Sequence, residues 1–106
     1  IYNINDSSEI DLSCELERAE GVKLFGKDRK KTFFLQDVTA KGNMLEFIYF
    51  IDTIPKIAYY DKKEKRILYS TELSLDKDID LPSLTFLTPE VFMVMNKSRK
   101  QILLYK

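Results

Sequence analysis

From residue 32 onward, apolar residues gather into short runs separated by charged or turn-forming segments. Residues 32–38, TFFLQDV, are aromatic-rich and lead into AKGN, where Gly42 and Asn43 signal a turn. Residues 45–51, LEFIYFI, are apolar almost throughout, as expected of a strand covered on both faces. Residues 52–55 make a short connection, 56–60 form the next strand, and DKKEK at 61–65 supplies a hairpin turn. Residues 66–75 alternate through Ile67, Tyr69, Thr71 and Leu73 before a polar loop, DKDIDLP, that ends at Pro82.

The pattern then restarts. Residues 84–87 match the place of 32–38, Val91–Met95 match 47–51 at a spacing of 44, and Ile102–Tyr105 match Ile57–Tyr60 at a spacing of 45. Such a spacing suits a four-stranded propeller blade or a similar meander. The expectation is one all-β domain over 1–106, built of antiparallel meander sheets. Its units, 32–75 and 83–106, are either two propeller-blade-like sheets or a small two-sheet sandwich. The second unit would hold three strands to the first unit's four, so its last strand is expected to be borrowed.

Residues 9–17, EIDLSCELE, offer themselves for that role. Ile10, Leu12, Cys14 and Leu16 fall at strict period two, the pattern of a half-buried strand that would pair beside 100–106. A helix competes for the same segment. Leu12, Leu16 and Ala19 share a helical face, Ser8 would cap it and Gly21 would end it, and Glu15, Glu17 and Glu20 favour it. Four alternations outweigh three helical matches, and the strand is the reading adopted. Val22–Phe25 is read as a further short strand.

Composition narrows the chemistry. Hydrophobic residues make up 44% of the chain and charged ones 32%, a globular balance. The 17 basic and 17 acidic residues cancel, which argues against a general polyanion-binding field and leaves room for a local patch. There is no histidine, so neither a Ser-His-Asp nor a Cys-His arrangement can form within the chain, and no histidine-ligated zinc. A single cysteine, Cys14, cannot build a disulfide, a thiolate zinc site or a redox pair. With Gly21, Gly26 and Gly42 as its only glycines, the chain has no phosphate-cradling loop. No cofactor is expected.

Carboxylates remain. Asp76, Asp78 and Asp80 alternate as in a calcium loop, but the sixth and twelfth positions hold Leu81 and Leu87 where Gly and Glu are needed. They are weak metal candidates, better read as a solvated loop. Some pair among 17 acidic residues is bound to be close, so the sequence singles out no glycosidase dyad. Basic runs at 27–31, 62–66 and 97–100 lie beside tyrosines, which makes Tyr59, Tyr60, Lys62, Lys63, Arg66, Arg99 and Lys100 the binding candidates. An oligonucleotide surface would use such residues. Lysine-rich hairpin tips that protect sheet edges explain them more simply. Buried core explains Phe33, Phe34, Phe47, Tyr49, Phe50 and Phe92.

The succession of long apolar strand, Asp- or Asn-containing turn, aromatic-Asp strand end and Lys-rich hairpin in FIYFIDTIPKIAYYDKKEKRIL (47–68) and LTPEVFMVMNKSRKQILLYK (87–106) resembles the six-bladed β-propeller lipoproteins of Bacteroidetes. The resemblance covers roughly 32–106, and the loop DKDIDLP lacks the glycines often found between blades of that family. It implies a periplasmic or cell-surface location, no catalytic residues and a binding role. The chain would supply only a minority of such a ring. It opens with Ile1 rather than Met, as expected of a processed form or an excised piece, and no apolar run approaches the roughly 18 residues that span a bilayer.

The function expected is therefore a non-catalytic binding or structural module of an envelope protein that engages a protein or glycan, with self-association through open sheet edges. A small nucleic-acid-binding domain using the three basic turns is the alternative, although nucleic acid is the less expected partner.

Overall fold

The structure, a computed structural model, describes residues 12–75 and 78–105. It is built mainly of two antiparallel sheets. Strands β1 (Phe33–Lys41), β2 (Met44–Ile51), β3 (Ile54–Asp61) and β4 (Arg66–Glu72) form sheet A in the order β1-β2-β3-β4. Strands β5 (Ile79–Thr88), β6 (Val91–Asn96) and β7 (Ile102–Tyr105) form sheet B in the order β5-β6-β7. One helix, α1 (Ser13–Glu20), precedes them. The all-β antiparallel fold read from the strand pattern is the fold observed.

The apolar run of β2 is what organises the layers. Alternate side chains of a strand point to opposite faces. Phe47, Tyr49 and Ile51 therefore join Ala58, Tyr60 and Ile67 in a core beneath α1, where Leu16 and Leu24 are also buried. Ile48 and Phe50 face the other way and pack with Ile79, Leu84 and Val94 of sheet B. Sheet A is thus sandwiched between a helix and a second sheet.

Residues 12–17 form no closing strand. Residues 13–20 form α1, while 9–11 lie outside the described residues. The helix keeps the Leu12–Leu16–Ala19 face against the core and leaves Cys14 exposed, where a strand would have buried it. Its three glutamates decide the matter, because each is spent on a specific partner. Glu15 accepts the Ile67 N–H at 2.8 Å, Glu17 accepts the N–H groups of Leu24 and Phe25, and Glu20 accepts the Tyr49 hydroxyl. Gly21 ends the helix in the left-handed conformation, with φ of 70° and its N–H bonded to the Glu17 carbonyl. Glu17 likewise holds 22–25 as an irregular loop that inserts Leu24, and no strand forms there.

Helix α1 also shields an edge. Arg18 donates to the Ile67 carbonyl at 2.9 Å while Glu15 takes the Ile67 N–H, so two outward-facing backbone groups of the edge strand β4 are occupied by side chains.

A bulge in β1 joins the sheets. The register jumps between Leu35 and Asp37, leaving Gln36 as the extra residue. Without it, neighbouring side chains would point to opposite faces. With it, both turn to β5. Gln36 donates to the carbonyls of Pro82 and Leu84 at 2.9 Å, and Asp37 accepts the Thr85 hydroxyl at 2.6 Å and the Phe86 N–H at 2.8 Å. Residue Pro82 sits where β5 itself loses register, an edge position that tolerates its missing N–H.

Candidate functional site: a cleft between the sheets

Pinned together along β1 and β5, the sheets part towards β3, β4 and β7. The gap is a cleft of about 460 Å³. One wall comes from sheet A, where the register places Glu46 opposite Tyr59 and Tyr59 opposite Tyr69. The other comes from sheet B, through Phe86, Phe92 and Tyr105, which stand in one cross-strand row. The β5–β6 turn adds Pro89 and Glu90, and the exit of β4 adds Glu72, Leu73 and Ser74.

Four of the five aromatics lining the cleft form two pairs. Tyr59 and Tyr69 lie with ring centroids 5.8 Å apart, and Phe92 stacks on Tyr105 at 5.5 Å. A register shift between Tyr59 and Tyr60 brings Tyr69 to this face. It makes Leu68 the extra residue, so Ile67 stays under the helix while Tyr69 stands beside Tyr59.

Glu46 lies within this setting with only 8% of its surface exposed. Its Oε2 is buried and has no hydrogen-bond partner among the described residues. Burial pushes the carboxyl above the ordinary glutamate range, opposed by the charge of Lys41. Lys41 itself contacts Glu90 across the mouth between the β1–β2 and β5–β6 turns. The Tyr59 hydroxyl is raised as well, first by burial and then by the neighbouring Glu46 charge. A buried acceptor left without a donor costs about 1–3 kcal/mol, so such a group is an informative feature of a native fold.

The binding candidates read from the sequence are dispersed by the fold. Tyr59 lines the cleft, but Tyr60 points to the opposite face, buried under α1 against Phe47. Lys62, Lys63 and Arg66 are exposed at the β3–β4 hairpin. That turn is built by Asp61, whose Oδ1 accepts the N–H groups of Lys63 and Glu64. Arg99 and Lys100 belong to the β6–β7 turn, closed in the same manner by Asn96 Oδ1. Strand direction puts this turn and residues 27–31 at one end of the molecule and residues 62–66 at the other. The basic runs do not converge.

The aspartates of DKDID likewise build no visible cation site. Asp80 Oδ2 lies 2.9 Å from Arg99, and the Asp78 carbonyl accepts the Lys97 N–H; Asp76 is outside the described residues. Among the described residues, no three His, Cys, Asp or Glu side chains gather as metal ligands.

Sequence reading overlooked Glu46. Its only signal was a lone acidic residue inside the apolar run LEFIYFI, at a position that the strand's own periodicity buries. A second hollow, lined by Phe34, Gln36, Phe50 and Pro82 on the other side of the β1–β5 junction, holds no buried polar atom without a partner among the described residues. No helix among the described residues is long and apolar enough to cross a membrane. No protein-family model, curated protein or solved structure matches the chain.

Proposed function

We propose that the protein is a non-catalytic binding module that takes a segment of a protein or glycan in the cleft between its sheets. The observation that carries this reading is the largely buried Glu46, whose Oε2 has no partner among the described residues, on the wall of an aromatic-lined cleft. A concave site with apolar walls and a few placed polar groups is the usual form of a binding pocket. A ligand at the Glu46 carboxylate would interact with a charge that burial leaves poorly solvated, and the five rings of the walls offer flat surfaces to stack on.

A raised carboxyl in a cleft is also what a general acid uses. Hydrolysis would need a second carboxylate free to act on the same bond. Glu90 is held by Lys41, which favours binding over turnover. The dispersal of the basic turns speaks against a nucleic-acid surface. A place in the bacterial envelope is proposed on the strand-and-turn resemblance of 47–68 and 87–106.

The test is a ligand panel followed by amide chemical shifts. Neutral oligosaccharides and short peptides are titrated into the isotopically labelled protein. The reading requires that at least one class perturb Glu46, Tyr59, Tyr69 and Phe92 in a saturable manner. Saturable shifts confined to the hairpin tips, or none at all, would refute it.

A further inference from the structure

We infer that the cleft recognises an organic cation: the lysine or arginine side chain of a partner polypeptide, with its charged head against Glu46. The inference rests on the cleft being a binding site and specifies what enters it.

Charge is the first argument. The carboxylates of Glu46 and Glu90 face the cleft, and Lys41, the cation at its mouth among the described residues, is engaged by Glu90. The remaining excess is negative, so an anionic ligand would be repelled and a cation drawn in. Burial is the second. A neutral hydroxyl could donate to the Glu46 carboxylate but would leave its charge uncompensated in a poorly solvated site. An ammonium or guanidinium supplies both the donor and the opposite charge.

The walls are the third argument. Rings attract cations to their faces within about 6 Å, and the effect grows when water is excluded. Tyr59 stands beside Glu46 on one sheet with Tyr69 next in the row, while stacked Phe92 and Tyr105 line the other sheet. The aliphatic stem of a lysine or arginine would run between the pairs, apolar against apolar, as such side chains do wherever the head is charged and the stem is not.

Four blocked pentapeptides test this by amide-shift titration: Gly-Gly-X-Gly-Gly with X as lysine, arginine, norleucine or glutamate. Maltotriose serves as the neutral control. The lysine or arginine peptide is expected to shift Glu46, Tyr59 and Phe92 saturably, and the glutamate peptide to leave them unmoved. Norleucine, which keeps the stem and removes the charge, should bind about tenfold or more weakly. Glu46→Gln should weaken the basic peptide by about tenfold or more. That substitution keeps the side chain's shape and removes a buried charge, so folding is preserved. Glu64→Gln, an equal change in net charge on the exposed β3–β4 turn, should leave binding unchanged.

Equal binding of the norleucine peptide, or an unchanged affinity in Glu46→Gln, overturns the inference. Perturbation of the cleft by maltotriose alone overturns it while the cleft remains a binding site. Silence from every probe and from the wider panel defeats both readings.

Discussion

Two glutamates lie on opposite faces of sheet A, and the fold treats them differently. On the helix face, Glu20 keeps 6% of its side chain exposed and is fully engaged, with Lys56 Nζ at 2.6 Å and the Tyr49 hydroxyl at 2.8 Å. On the sheet-B face, Glu46 is buried to a similar degree and its Oε2 has no partner among the described residues. The first is a closed network that fixes the helix on the sheet. Burial next to Glu20 even pushes the Tyr49 hydroxyl well above its ordinary range. The second leaves a polar group unsatisfied within a cavity. Burial alone therefore does not tell the two apart; completion of the hydrogen bonding does.

The comparison can be broken first on its finished side. Lys56→Met strips the counter-charge from buried Glu20 and should cost about 3 kcal/mol in chemical denaturation. A loss near zero would mean that Glu20 is better solvated than its geometry indicates.

The hinge between the two faces is Asp37. Burial raises its carboxyl, but hydrogen bonds from Thr85, Phe86 and Val38 outweigh this and hold it below the ordinary aspartate value. Asp37→Ala should cost about 2 kcal/mol, because the Phe86 N–H loses its charged acceptor. Since the folded value lies below 3.8, this stabilisation is complete above that pH and fades as pH falls through the folded value. Denaturation of wild type and variant at neutral and strongly acidic pH checks both parts.

Glu46→Gln should act with the opposite sign, stabilising the free protein by about 1 kcal/mol at neutral pH. A carboxyl raised by folding helps stability below its ordinary value of 4.5, and that contribution is lost as pH rises through the folded value. The gain in the variant should therefore disappear in acid. The smallest change is expected at the hairpin tip: neutralising Lys62, Lys63 and Arg66 singly should stay within about 0.5 kcal/mol and leave the cleft's ligand affinity intact.

How far the sequence revealed this depends on the range of each determinant. Most sheet strands were legible because period-two patterning and the turns at Gly42, Asp61 and Asn96 are local, but the start of β5 at Ile79 was read as part of a polar loop ending at Pro82. The helix was misread for the opposite reason. Residues 12–16 satisfy both periods, and what selects the helix is distant: Ile67 for Glu15, Tyr49 and Lys56 for Glu20. The cleft was hidden by two bulges, at Gln36 and Leu68, which rotate Asp37 and Tyr69 to faces that simple alternation does not assign. Of the binding candidates, Tyr59 reached the cleft while its neighbour Tyr60 went to the core, since adjacent residues of a strand cannot share a face.

The difference between the two glutamates is most directly tested by following the side-chain carboxyl carbon of Glu46 by NMR through a pH titration of the free protein. A midpoint above 4.5 is predicted, as required of a buried carboxylate without its donors. A midpoint at or below 4.5 would mean that Glu46 is already satisfied, and the case for a ligand in the cleft would fall with it.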